Sequence, residues 1–382
     1  MPSGIVALPC KWVYDVKTDS LGRLIKYKAR LVVGGHRQVE GVDFTDTFSP
    51  AVSWDSVRLF LALTVKLRLI PLQLDINMAY LYADIDEGLV IYMRPPPGMN
   101  LPEGYMLRLK KSLYGLKQAG RNWNRLIHSK LTEAGFVRID EDACVYLRII
   151  KGQYTLLLLY VDDIICSASS KDVLSDLVAY LRSLFKLKLM GVPTNVSMAP
   201  SQLLGIQLVW GEDFQSVQIK IVKELLSESW DEFGMGKVAH RTPMEPQLRL
   251  TESDQLKDPT NEEDIAMQSK YRHIVGVLIF LVTTGRVDLS FALCVLSRSM
   301  KNPGWAHYRA AQYVLSYLSN KTDLGIAYYH NGNRYPYAYA DADFGSDDES
   351  RRAYMGYMLI LANGPIAWKS KMSQLIPLSS SV

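Results

Sequence analysis

Two adjacent aspartates, Asp162 and Asp163, follow Val161 between the apolar runs Tyr154–Tyr160 and Ile164–Ser167. The pattern reads as two strands joined by a tight turn, where hairpins favour Asn-Gly or Gly-X because positive φ is needed. A β-branched valine and two like charges are a poor local choice there, and such departures from local rules concentrate at functional sites. Adjacent carboxylates repel, so both stay ionised most readily with a cation beside them. A third acid, Asp75, lies where apolar Leu72, Leu74 and Ile76 alternate with polar Gln73, Asp75 and Asn77, as in a strand with one buried face. Two strand-borne acids and a third are a common means of holding two Mg²⁺ ions, or Mn²⁺ in their place, for in-line phosphoryl transfer. Taken singly, the aspartate pair reads as an ordinary surface turn and Asp75 as a strand-end carboxylate. The weight rests on the combination.

Around the acids the charge is uneven. The net charge is only +4. Leu21 to Val39 nonetheless carries Arg23, Lys26, Lys28, Arg30 and Arg37 with no acid. Gly104 to Thr132 carries Arg108, Lys110, Lys111, Lys117, Arg121, Arg125 and Lys130, again with no acid. Either run alone is as well explained by a solvated face. Flanking an acidic stretch (Asp75, Asp84, Asp86, Glu87), the two runs suggest basic walls for a polyanion around a carboxylate centre.

The elements that must position these groups follow from patterning. With 382 residues, 48% hydrophobic and 21% charged, the chain has material for two or more domains, and disordered and collagen-like classes are excluded. The longest apolar stretch, Ile274 to Val282, is too short to span a bilayer. The first residues lack the pattern of a secretory signal, so an intracellular, cytoplasmic protein with no membrane partner is expected, the nucleus being the alternative. Cys10, Cys144, Cys166 and Cys294 are scattered, which predicts reduced thiols and no disulfide or zinc site. Strands are expected over 11–16 and 26–33 with a turn at 19–22, and helices over 56–67, 114–131 and 171–185. A hairpin of 203–210 with 214–221 should follow, then a helix over 222–233 closed by Gly234. Residues 239–263, broken by Pro243, Pro246 and Pro259, read as a linker. Helices near 266–283, 287–300 and 305–319 and strands at 335–340, 354–361 and 366–369 complete the pattern.

In order, the chain carries YKARLV (27–32), QLDINMAYL (73–81), SLYGLKQAGRNW (112–123), LLLYVDDII (157–165) and LLGIQL (203–208). Together with KWVYDVKTDSLGRLIKYKARLVVGG, VDFTDTFSPAVSWDSVRLFLAL and VIYMRPPPG, these resemble the polymerase of copia-type LTR retrotransposons across nearly the whole length. The resemblance implies an α+β right-hand polymerase with fingers, palm and thumb and an antiparallel palm sheet, followed by a helical connection and a partial ribonuclease H-like α/β segment. The implied division is 1–238 for fingers, palm and thumb (the fingers incomplete at their start), 239–263 for the linker, 264–330 for the connection and 331–382 for the truncated ribonuclease H-like segment.

By the same resemblance, Asp75, Asp162 and Asp163 are the catalytic, metal-binding triad, and Tyr80 is a steric gate against the ribose 2′-OH. Gln118 lies close to the incoming nucleotide and template. Lys28 and Arg30 hold the triphosphate, the choice between them left open; a bidentate arginine would be the firmer contact. Leu204, Gly205 and Ile206 grip the primer terminus, and Arg121 and Arg125 track template phosphates. Trp123 reads as a core tryptophan, with base stacking as the alternative. Asp341 matches the first metal-binding aspartate of the nuclease. One carboxylate cannot assemble a two-metal site, so ribonuclease H activity is expected to be absent. The implied function is an RNA-directed DNA polymerase, a nucleotidyltransferase taking an RNA or DNA template-primer and dNTPs. The alternative is a silent relic of a retroelement polyprotein that only binds nucleic acid or a partner.

Overall fold

The protein is described here from a computed structural model, which describes residues 6–18, 23–190, 201–221, 240–343, 347 and 350–374. The expected turn at 19–22 and the helix at 222–233 lie outside the described residues. In chain order the first elements are β1 (Cys10–Thr18), β2 (Leu24–Val33), α1 (Trp54–Lys66), β3 (Ile70–Ile76), β4 (Tyr92–Met93), β5 (Leu107–Arg108) and α2 (Ala119–Glu133). Then come β6 (Val137–Arg138), β7 (Val145–Ile150), β8 (Gln153–Tyr160), β9 (Asp163–Ala168), α3 (Lys171–Leu184) and β10 (Leu187–Leu189). The remainder holds β11 (Ser201–Leu203), β12 (Ile206–Trp210), β13 (Ser216–Ile221), α4 (Glu262–Thr284), α5 (Ser290–Ser297) and α6 (Trp305–Ser319). Strands β14 (Ile326–Tyr329), β15 (Tyr337–Ala342), β16 (Tyr354–Leu361) and β17 (Gly364–Met372) end the order.

Two compact units result, one of residues 1–53 and 71–192, the other of 54–70 and 193–382. In the first, a six-stranded sheet runs in the order β10-β3-β9-β8-β7-β6. The alternation read from sequence is realised in β3, where Leu72, Leu74 and Ile76 are buried and Gln73 and Asp75 half-buried. Central β9 is buried at every position after Asp163, as a strand covered on both faces must be. Helix α3 starts where Ser170 Oγ accepts the Val173 N–H, an ordinary N-cap, and buries Leu174, Leu177, Val178 and Leu181 along one stripe. Each fully buried leucine of this kind contributes roughly 1.5–3 kcal/mol. Helix α2 begins at Ala119, not at Tyr114 as its periodicity suggests, because Gly115 takes φ +94 and breaks the run with a turn.

Strands β1 and β2 form a separate antiparallel ribbon. Its register puts Lys26, Lys28 and Arg30 on one face, opposite Asp15 and Val13, and Trp12, Tyr14, Ile25 and Tyr27 on the other. The ribbon's root is set by two glycines. A Cβ on Gly35 would lie 1.9 Å from the Gly115 carbonyl oxygen, and one on Gly115 would lie 2.1 Å from that of Val33. Here backbone meets backbone, with Val33 N–H donating to the Tyr114 carbonyl at 2.8 Å.

In the second unit, β11-β12-β13-β14 form one sheet and β15-β16-β17 another. The expected single strand 203–210 is interrupted: Leu204 (φ 49) and Gly205 (φ 83) are both left-handed and turn β11 back on β12 as a two-residue hairpin. Helices α4, α5 and α6 share a core through Tyr271, Ile274, Leu278, Leu289, Leu296 and Leu315, among others. The segment expected to be a linker lays Met244, Leu248, Leu250 and Leu256 against that core. Helix α4 is long and apolar enough to cross a membrane, a property that the longest apolar run does not reveal. Its Tyr271, Ile274, Leu278 and Leu281 are fully buried in protein. The four cysteines are free thiols.

Helix α1, though early in the chain, packs on β17 and β14. Arg58, 3% exposed, is its anchor. The guanidinium donates to the carbonyls of Ile366 and Thr283, pairs with Asp55 and lies 3.9 Å over the Trp368 ring. Arg58→Met keeps the stem but leaves two carbonyls without their donor. We expect a loss of about 3 kcal/mol in urea unfolding, with Trp368 fluorescence reporting the same transition.

Candidate active site

Val161 and Asp162 form the two-residue turn between Tyr160 and Asp163, which face each other across β8 and β9. Val161 has φ 55, so the positive φ demanded by the turn falls on a β-branched residue, where it costs roughly 1–2 kcal/mol. Two hydrogen bonds brace the turn from outside. The Ile76 N–H donates to the Asp162 carbonyl at 2.9 Å, and the Trp123 indole N–H donates to the Val161 carbonyl at 2.5 Å. The first of these brings β3, and with it Asp75, beside the aspartate pair.

The three carboxylates are half-buried and feel one another. Burial pushes the Asp163 carboxyl up to about 6, with the charges of Asp162 and Asp75 adding to the rise. Asp162 is also raised, chiefly by burial and then by Asp75, while Arg30 and Lys28 pull the other way. Both ribbon cations therefore reach the acid centre electrostatically. Among the described residues, no three His, Cys, Asp or Glu side chains are gathered tightly enough to hold a metal ion as they stand. Asp75, Asp162 and Asp163 are neighbours in charge, not a closed cage.

Tyr80 lies in a 3-10 turn, Ala79–Tyr82, entered through left-handed Met78. It is packed edge-on against Tyr114 with centroids 5.1 Å apart. Burial raises its phenol, and Asp162 and Tyr160 raise it further, so the ring lies within electrostatic reach of Asp162. Tyr114 shows the same pattern, raised by burial and then by Asp162, with Arg30 opposing. It is a site residue that sequence reasoning did not single out, although it stands inside the quoted motif SLYGLKQAGRNW.

Other expected residues are placed differently. Gln118 is 0% exposed. Its carbonyl accepts from Gln38 Nε2 at 3.0 Å and its amide donates to the Asp43 carbonyl at 2.8 Å. Through these bonds Gln118 ties the 38–43 loop to the start of α2. Arg121 is paired with Asp46 and Asp86, and Arg125 with Asp86. The second basic run is thus partly neutralised by acids distant in sequence. Leu204, Gly205 and Ile206 form the β11–β12 hairpin of the other unit. Asp341 stands exposed on β15, facing Gly356.

Residues 1–245 match the family described as reverse transcriptase (RNA-dependent DNA polymerase). The chain belongs to the copia-type branch of that family. It is 33% identical over its whole length to the retrovirus-related Pol polyprotein from transposon TNT 1-94 of Nicotiana tabacum, covering 28% of that protein. It is 31% identical to the corresponding polyprotein from transposon RE2 of Arabidopsis thaliana, covering 25% of it. The chain therefore spans about a quarter of these relatives' length. A putative transposon Ty5-1 protein of Saccharomyces cerevisiae is 29% identical over 81% of this chain and 96% of its own. Among solved structures, telomerase from Candida albicans, in complex with a telomeric RNA fragment, aligns at a TM-score of 0.26 and 10% identity, over 85% of this chain and 63% of that one.

In this chain, Gly115 holds the ribbon that carries Lys28 and Arg30. Gly115→Ala would combine a left-handed strain with a backbone clash, whereas Gly152 (φ +76) has open space around it. We expect Gly115→Ala to lose about 3 kcal/mol or more and Gly152→Ala about 1 kcal/mol, compared by urea titration of both proteins.

Proposed function

We propose that the chain is the polymerase part of a copia-type Pol protein, working inside the cell and extending a primer on RNA or DNA templates with dNTPs. The observation that carries this reading is the hydrogen bond from Ile76 to Asp162, which sets the strand of Asp75 beside the adjacent pair Asp162 and Asp163, within electrostatic reach of Arg30 and Lys28. On this reading the β1–β2 ribbon belongs to the fingers and the six-stranded sheet to the palm. The hairpin at Leu204-Gly205-Ile206 would meet the primer, and the chain continues through the thumb into the connection and ribonuclease H-like segments.

The donor set fits divalent magnesium. Carboxylate oxygens are the ligands that this hard ion prefers, and the burial and, after it, mutual repulsion that lift Asp162 and Asp163 are what a nearby dication offsets. Asp75, Asp162 and Asp163 would hold two ions after small side-chain rotations. Bound there, the ions would activate the primer 3′-oxygen and neutralise the departing pyrophosphate. The remaining work belongs to this chain's residues. Lys28 and Arg30 share a ribbon face and would hold the triphosphate, Arg30 in a bidentate grip. Tyr80, fixed against Tyr114, would fill the space that a 2′-OH needs, excluding ribonucleotides. Residual basic groups of the second run would bind template phosphates in a salt-sensitive way.

Purified protein on poly(rA)/oligo(dT) should incorporate dTTP with Mg²⁺, and Asp162→Asn should remove at least about 10³-fold of that rate. Salt-sensitive binding without incorporation would instead assign the silent, nucleic-acid-binding reading. In the active protein, Tyr80→Val should admit ribonucleotides while dNTP use changes little. Unaltered discrimination would take Tyr80 out of the gate role.

A further inference from the structure

Asp162 is held by its main chain from two sides. The carbonyl after its Cα accepts from Ile76 on β3, the strand of Asp75. The carbonyl before it, that of Val161, accepts from the indole of Trp123. Trp123 is 1% exposed and belongs to α2, which is not part of the sheet. The peptide it grips leads out of a residue at φ 55, a conformation that a valine leaves readily unless its surroundings over-determine it.

The indole is itself locked. Its ring meets Phe185 edge-on at 5.3 Å and lies 6.5 Å from Tyr82, while Tyr82 and Phe185 are 5.0 Å apart at 84°. The Tyr82 hydroxyl accepts the Lys186 N–H at 2.7 Å, and the Lys186 carbonyl accepts from Asn77 at 2.9 Å. That carries the connection back to the end of β3. Lys188 then stands opposite Asp75 across β10 and β3. One aromatic cluster therefore braces the turn bearing Asp162 and the strands bearing Asp75.

We propose that Trp123 is a positioning residue, its indole N–H setting where Asp162 stands relative to Asp75. This rests on the polymerase reading and names a determinant of its rate. A core tryptophan needs only its ring. A positioning tryptophan needs its N–H, because that donor fixes the peptide preceding the acid. Displacement of a reacting constellation by about 1 Å can cost 10²-fold in rate, so the donor's loss should appear in the chemical step and spare binding.

The test compares the wild type with Trp123→Phe and with β-(3-benzothienyl)alanine placed at 123 by amber suppression. The latter keeps the bicyclic shape and lacks the N–H, so it serves if the smaller phenylalanine ring loosens the fold. Single-turnover dTTP incorporation should fall about 10- to 100-fold in both, with template-primer affinity and the dTTP concentration for half-maximal rate within about twofold. Mn²⁺ titration followed by electron paramagnetic resonance, without substrate, should show weaker binding in both. In the ¹⁵N-labelled protein, the indole proton that disappears from both variants should be slow to exchange with solvent. A benzothienyl variant with wild-type rate and Mn²⁺ affinity would overturn the proposal, as would a rapidly exchanging Trp123 proton. If the wild type incorporates nothing, or Asp162→Asn still incorporates, the polymerase reading fails instead. The Mn²⁺ comparison and the exchange measurement then still decide the role of Trp123.

Discussion

Like charges held close together in a half-buried place repel, and everything around the acid centre answers that repulsion. Two unit charges 4 Å apart at an effective dielectric of 20 oppose each other by about 4 kcal/mol. Asp162 and Asp163 are neighbours in sequence, and Asp75 joins them only because β3 lies beside β9. The repulsion is met by a sheet that cannot give way: β9 is buried throughout, and Leu74 and Ile76 on either side of Asp75 are fully enclosed. The main chain at Asp162 is gripped on both flanks, and Arg30 and Lys28 supply opposite charge from the ribbon. Rigidity in the core thus holds the three carboxylates close enough to act on one another at one turn.

How much of this was legible in the sequence depended on the range of the interaction. Alternation at Leu72, Leu74 and Ile76 disclosed β3 and the face of Asp75, since a half-buried strand repeats every two residues. The unsuitability of Val161 for its turn was visible too, and the structure puts its φ at 55. The onset of α2 was not, because residues 114–118 have helical periodicity and the break comes from Gly115 meeting the backbone of Val33. The strands β10 and β14 have three and four residues and exist through pairing with β3 and β13, partners that no local window contains.

The side chains followed the same rule. Lys28, Arg30 and Tyr80 were placed by motif and stand near the acids. Gln118 and Arg121 were placed by the same motif, yet their polar groups are consumed by Gln38, Asp43, Asp46 and Asp86. Nothing in the run of basic residues announced those acids. Tyr114 went unremarked because an aromatic in a turn carries no signal of its own. Trp123 reads as a core tryptophan, and its N–H bond stayed hidden because a buried ring looks alike in sequence whatever its N–H meets.

Arg58 has a temporal consequence as well as an energetic one. Its partner at Ile366 lies 308 residues further along the chain, so α1 leaves the ribosome long before the strand that covers it. At 5–20 residues per second, the interval is on the order of 15–60 s. Until then α1 has only its earlier-made neighbours β13 and β14, and the cover that β17 gives arrives last.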